Sequence, residues 1–301
     1  MGLLVVGSVA LDTVKTPFGM AEDVLGGSAT YFSTAASYFN DVSLVAVIGK
    51  DFPEAHIAFL KERGIDLEGL EYQEGQTFRW RGEYSYQLNE AKTLETQLNV
   101  FQSFRPTLPE TYKGIPYVFL GNIDPELQLD VLKQVKHPKL VACDTMNFWI
   151  EGKRDALLKM LREVDILLIN DGEARELAQE VNLVKVAKKI LSHGPKTLVV
   201  KQGEYGALMF NGKTIFSAPA YPLEDVFDPT GAGDSFAGGF MGYLSKHGMT
   251  DASIRQAVIY GSTMASFNVE SFSLDRMRSL TQKDIQQRYQ AFKELTFFEN
   301  L

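Results

Sequence analysis

The sequence predicts an α/β fold, with a mostly parallel central sheet and helices on both of its faces. Three observations carry this. Short apolar runs recur along the chain, among them Leu3-Leu4-Val5-Val6, Tyr117-Val118-Phe119-Leu120, Leu140-Val141-Ala142-Cys143 and Ile166-Leu167-Leu168-Ile169; such runs suit strands buried on both faces. Helical patterns separate them, giving the alternation that right-handed βαβ crossovers produce. The chain has 301 residues, 45% of them hydrophobic, enough for one large core. No repeat or Pro/Gly/Ser-rich linker divides it, so residues 1–301 read as a single domain.

Composition narrows the function. The formal net charge is −8 and no basic run occurs, which argues against nucleic acid or an anionic membrane as partner. Cys143 is the only cysteine, which excludes an internal disulfide and fits a reducing, cytoplasmic setting. The histidines, at 56, 137, 193 and 247, lack zinc-ligand spacing. Met1 to Leu11 is apolar, but it has no basic start and is too short to span a membrane. It reads as a first strand.

Taken in order, Leu3 to Gly7 is that strand, followed by Asp12 just past it. Ligands of open parallel sheets gather at the carboxyl ends of strands, where an ionised carboxylate can accept bonds from two hydroxyls. Gly26-Gly27-Ser28 precedes an amphipathic helix reaching about Tyr38; the glycines allow close backbone approach, and Ser28 can cap. Leu44–Ile48 is a strand and Pro53–Arg63 a helix. From about 68 to 102 the character changes. Thr77-Phe78-Arg79-Trp80-Arg81-Gly82-Glu83-Tyr84 alternates polar and aromatic residues, as an exposed strand does. With 13–19 it reads as a small β lid over a pocket, with an ordinary surface hairpin as the alternative. Arg79 and Arg81 either reach a substrate or are solvated. Trp80 and Tyr31 are stacking candidates for a base, whereas Phe32 reads as core. A helix follows from Pro125 to Lys136. Leu198 to Leu208 reads as strand, turn and strand, with Lys201, Gly203 and Gly206 in the turn, and Asn211-Gly212 as a type I′ hairpin turn. Ser253–Phe267 and Thr281–Leu295 are helical by pattern.

Two motifs carry chemistry. Asp228-Pro229-Thr230-Gly231-Ala232-Gly233-Asp234-Ser235-Phe236 opens a helical run. A Gly-x-Gly turn entering a helix aims unpaired N–H groups and the positive end of the dipole at one point, an anion site. A carboxylate there repels phosphate, so Asp234 makes sense as the base for an attacking hydroxyl; a plain N-cap in a tight turn is the alternative. Asn170-x-x-Glu173 is either a helix cap or a pair of oxygen groups holding the waters of Mg²⁺.

The string from Asp228 to Gly239 closely resembles the signature of PfkB, or ribokinase-like, carbohydrate and nucleoside kinases. Asn170-x-x-Glu173, Asp12, Gly26-Gly27 and the Lys201-x-Gly203-x-x-Gly206 segment resemble further family motifs in the same order. The resemblance implies a three-layer α/β/α sandwich and an ATP-dependent kinase acting on a hydroxyl of a small sugar or, alternatively, a nucleoside. It implies Asp234 as general base, the N–H groups of Gly231, Ala232 and Gly233 as phosphoryl cradle, and Asp12, Gly26 and Gly27 at the acceptor. Asn170 and Glu173 would hold Mg²⁺ through water, with Lys201, Gly203, Gly206 and Asp228 beside ATP. Many members have Asn three or four residues after the second glycine; Thr30 and Tyr31 stand there instead. Ser271-Phe272-Ser273 stands where many have glycine, which leaves a monovalent cation open. The exposed aromatic strand of the lid leaves a homodimer through the lid open. A non-catalytic sugar-binding relative is the distant alternative. No Gly-x-x-x-x-Gly-Lys-Ser/Thr occurs, which rules out a P-loop kinase, and the glycine turn lies too late for a Rossmann oxidoreductase.

Overall fold

The structure, a computed structural model, describes residues 2–297, so the ends of the expected 1–301 unit, Met1 included, lie outside the described residues. In chain order the elements are β1 (Leu3–Val6), β2 (Ala10–Thr16), β3 (Gly19–Gly26), α1 (Ser28–Ala36), β4 (Val42–Gly49), α2 (Glu54–Glu62), β5 (Ile65–Gln73), β6 (Phe78–Tyr84) and β7 (Ala91–Gln97). Next come β8 (Tyr117–Leu120), α3 (Pro125–Gln134), β9 (Leu140–Cys143), α4 (Asn147–Gly152), α5 (Arg154–Leu161), β10 (Ile166–Asn170), α6 (Asp171–Ala178) and α7 (Leu183–Leu191). The chain continues with β11 (Thr197–Lys201), β12 (Ala207–Phe210), β13 (Ile215–Ala218), α8 (Ala232–His247), α9 (Asp251–Asn268), α10 (Asp275–Arg278) and α11 (Gln282–Leu295).

Nine strands form one sheet in the order β13-β12-β11-β10-β9-β8-β1-β4-β5. The pairs from β11 to β5 are parallel, and only the pairs β11–β12 and β12–β13 are antiparallel. Strand side chains alternate between faces, and the apolar runs use both. Leu3, Val5, Phe119, Ala142 and Leu168 pack into the core beneath α1, α8 and α9. Leu4, Val6, Leu120, Cys143 and Ile169 enter a second core with α5, α6 and α7. This is the expected three-layer sandwich. Phe32 is core, stacked on Phe119 at 4.1 Å.

The Phe-Ala-Gly-Gly-Phe run of α8 has a packing reason. A Cβ at Gly238 would lie 2.4 Å from the Phe32 carbonyl oxygen of α1, and one at Gly239 would lie 2.7 Å from the Tyr260 carbonyl oxygen of α9. The two glycines therefore let α8 lie in close contact with a helix on either side, which fixes where its N-terminus points.

A second, smaller sheet stands in place of the segments expected to form the lid, with different bounds. Strands in the order β3-β2-β6-β7 form a second sheet from residues 10–26 and 78–97, not 13–19 and 68–102. Residues 65–73 instead pair in parallel with β4 at the edge of the main sheet, because Ile65 and Leu70 turn into the core. Asp12 thus lies within a lid strand. Three local expectations also change. The N-cap of α1 is Gly27, while Ser28 bonds Ser8 through Oγ and ties the helix to the end of β1. All of α1 is buried, so it is not amphipathic. In the β12–β13 hairpin Gly212 alone takes positive φ, and Asn211 Oδ1 closes the loop by accepting from the N–H groups of Lys213 and Thr214. Among the described residues no helix is long and apolar enough to cross a membrane.

Candidate active site

Parallel strands deliver their next residues to one edge of the sheet, and three polar side chains arrive there. Asp144 follows β9, Asn170 ends β10 and Lys201 ends β11, with Asn170 and Lys201 in register. Lys201 Nζ donates to Asp144 Oδ2 at 3.0 Å, and both side chains are largely enclosed. The same ammonium would lie 2.9 Å from a Cβ at Gly233, so it sits against the glycine turn. Asn170 and Glu173 form a capping box: Asn170 Oδ1 accepts from Glu173 N at 2.8 Å, and Glu173 Oε2 accepts from Asn170 N at 3.1 Å.

The turn is braced from below. Asp228 is fully buried; its two oxygens accept from the N–H groups of Thr230 (2.9 Å) and Ser273 (3.1 Å). Asn268 donates to the Thr230 carbonyl at 2.8 Å and accepts from Ser235 Oγ at 3.0 Å. Ser273, at φ 54°, also donates through Oγ to the Leu25 carbonyl, joining the turn to the lid. Gly231 has φ 75°, a region costly for residues with a Cβ. Ala232 N–H donates to Pro229 O at 3.1 Å and Ser235 N–H to Gly231 O. The Ala232 N–H is therefore engaged within the turn.

The other half of the site is made by the lid and α1. Asp12 is 4% exposed and lies over Gly26, where a Cβ would come within 2.0 Å of Asp12 Oδ2. Gly26 and Gly27 thus make room for the Asp12 carboxylate and for the return of the chain past Ser8. Tyr31 packs its ring on Gly231, and the lid's Tyr84 OH meets the Thr230 hydroxyl at 3.3 Å. At the tip of the β6–β7 hairpin Asn89 touches Gly203, so the lid spans from the acceptor side to the turn after β11.

Charge differs between the halves. Burial raises Asp12 to about 8, aided by Asp228 and Asp234, against the pull of the Gly27 N–H. Burial and then Asp144 raise Asp234 to about 7, opposed by Lys201. Glu173 rises to about 7 for the same two reasons. Burial alone would lower the Lys201 ammonium, but Asp144, Glu173 and Asp234 outweigh it and hold it above its usual range. A carboxylate poised near neutrality beside helix N–H donors can take a proton from a hydroxyl while an anion sits on the turn.

Known proteins resemble the chain over most of its length. The profile of the pfkB family carbohydrate kinases matches residues 11–279. The chain belongs to that family. A curated relative, the cytidine kinase of Thermococcus kodakarensis, is 29% identical over 252 residues, covering 82% of this chain and 89% of the relative. Ribokinase from Thermotoga maritima shares the fold with a TM-score of 0.76 and 21% identity, over 96% of this chain and 99% of its own. An E. coli neighbour solved with ATP and Mg²⁺ has a TM-score of 0.78 at 17% identity, over 96% and 99%.

Within this pfkB kinase the structure brings Asp12, Asp228, Gly231, Gly233, Asp234, Lys201, Asn170 and Glu173 near one another, with Gly203 and Gly206 in the turn beyond Lys201. Arg79 is turned away, paired with Asp23 and Asp51. Arg81 is exposed, and Trp80 bonds Thr93 within the lid. Three residues escaped the sequence reading. Asp144 was visible only as a carboxylate at a strand end, Asn268 as one polar residue in a helix, and Tyr84 as part of the lid's aromatic alternation.

Proposed function

We propose that this pfkB kinase transfers the γ-phosphoryl group of ATP to a hydroxyl of a small sugar or sugar derivative, with a nucleoside as the second reading because of the cytidine kinase relative. The observation that carries it is the convergence of Asp234, the glycine turn, Lys201 and Asp12 near the carboxyl ends of the strands.

Each residue has a task that its surroundings support. Asp234 accepts the proton of the acceptor hydroxyl, with its pKa near the working pH. The N–H groups of Gly231 and Gly233 stabilise charge at the start of α8, and Asp228 and Asn268 hold that turn in shape. Asp12, seated over Gly26 and beside Gly27, binds acceptor hydroxyls. Lys201 faces the phosphates across Gly233, and the turn from Gly203 to Gly206 borders the nucleotide. Among the described residues no cluster of three metal-ligating side chains exists. An oxygen-lined edge made by Asp144, Asn170 and Glu173 nevertheless fits Mg²⁺ that is held mainly by phosphates and waters. ATP with Mg²⁺ supplies the phosphoryl group and neutralises part of its charge. The lid closes over the acceptor, and its Asn89 contact with Gly203 helps exclude water. A second copy pairing through the lid, and action in the cytoplasm, belong to the same proposal.

A panel of sugars and nucleosides, assayed for acceptor-dependent ADP release, tests this directly. One compound that drives ADP release and gains a phosphate is expected; no acceptor in either class would refute the reading.

A further inference from the structure

One group in the acceptor half has no task in the scheme above. The Tyr31 hydroxyl is enclosed, with the residue 1% exposed, and lacks any hydrogen-bond partner. Protein interiors seldom leave a hydroxyl in that condition, because it has lost water and gained nothing. Its ring is fixed by contact with Gly231. The ionisable groups that face it are Asp228, Asp12, Tyr84 and Asp234. Asp228 is committed to backbone N–H groups and Tyr84 to Thr230. No cation is among the four. The nearest lid guanidinium in sequence to Tyr84 that is not solvated, Arg79, is already held by two carboxylates.

We propose that Tyr31 is a specificity-determining residue of the kinase site, whose hydroxyl acts with Asp12 to select an uncharged polyol, a free sugar or a nucleoside, over sugar acids and sugar phosphates. This rests on the assignment of Asp12 and Asp234 to the acceptor side. A phenol both donates and accepts, whereas an ionised carboxylate only accepts. Together they match the alternating hydroxyl and ether oxygens of a sugar ring. A carboxylate or phosphate on the ligand would meet no cation among the groups facing Tyr31, and a buried anion left without a positive partner is disfavoured, an effective way to reject a competitor. Burying a polar group that only the right ligand satisfies is another.

The test uses the full chain and its Tyr31→Phe variant, which removes only an unpartnered hydroxyl and should fold. Ribose, fructose, cytidine and adenosine serve as uncharged probes; gluconate and ribose 5-phosphate serve as anions. Calorimetric binding and ADP release are measured for each. The wild type should prefer an uncharged probe. In Tyr31→Phe the Kd and KM for that probe should rise about tenfold or more, with kcat within about threefold and with KM for ATP and Tm unchanged. Tightest binding of an anion, or an uncharged probe bound equally well by Tyr31→Phe, overturns the proposal. Tyr31-dependent binding without ADP release refutes the kinase reading and leaves this one standing. Turnover of an uncharged probe that ignores Tyr31→Phe does the reverse. Neither binding nor turnover of any uncharged probe refutes both.

Discussion

The two halves of the proposed site solve the problem of buried charge differently. On the donor side the acids have a cation: Asp144 is ion-paired to Lys201, and the same ammonium lies against Gly233 and acts on Glu173 and Asp234. On the acceptor side Asp12 has only the Gly27 N–H in its favour, and two other carboxylates act against it. The Tyr31 hydroxyl beside it has no partner. A compensated half is built to persist without ligand; an uncompensated half is built to be completed by one. The contrast also follows the fold. Donor groups hang from the ends of three central strands, while acceptor groups come from a separate four-stranded sheet and the first turns of α1.

The largest effect should come where the halves meet. Asp234→Asn should lower kcat by about 10²–10⁴ while ATP binding, read by calorimetry, survives, because the change only relieves repulsion of the phosphates. Near-normal turnover would remove Asp234 from the chemistry. Next comes the donor half. Lys201→Met leaves Asp144 and Glu173 without their cation, and breaking such a pair costs about 3 kcal/mol. A Tm lower by roughly 6 °C or more is expected, together with a higher KM for ATP. Adding Asp144→Asn should recover part of the Tm; a double variant as unstable as Lys201→Met alone would show that the pair is not what compensates this half.

The smallest effect has the opposite sign and belongs to the acceptor half. Asp12 and Asp234 titrate at about 8 and about 7 in the folded protein, above the ordinary carboxylate value. Between about pH 4 and pH 8 the folded state therefore holds protons that the unfolded chain has lost, and stability falls as pH rises through that window. Asp12→Asn removes one such group. Its Tm at pH 8 should exceed the wild type by about 2 °C or more and should approach it at pH 5, even as acceptor affinity is lost. A variant less stable at pH 8 would show that Asp12 is not an uncompensated charge.

Much of this layout is legible in the sequence, and its failures have physical causes. The strands Tyr117–Leu120 and Leu140–Cys143 are readable to the residue because they are buried on both faces and uninterrupted. The lid is misjudged where it meets the sheet. Residues 65–73 alternate in polarity like an exposed strand, yet half of that pattern is an edge strand leaning on the core. The glycine turn reveals its role locally, since a single stretch holds both the tight backbone and the carboxylate. Asp144 does not, because its partner Lys201 is 57 residues away and nothing near Asp144 in sequence signals an ion pair. The pairing of Gly26 with Asp12 is hidden in the same way: it is a contact across two antiparallel lid strands, so nothing next to Gly26 in sequence signals the carboxylate it accommodates.

The pH dependence of kcat/KM for the acceptor, measured at saturating ATP, tests most directly whether a carboxylate at the glycine turn deprotonates the acceptor hydroxyl. A rise through about pH 7 to a plateau, with the limb absent in the residual activity of Asp234→Asn, is the predicted result. A profile flat from about pH 5 to pH 9, or a limb that persists unchanged in the variant, would contradict it.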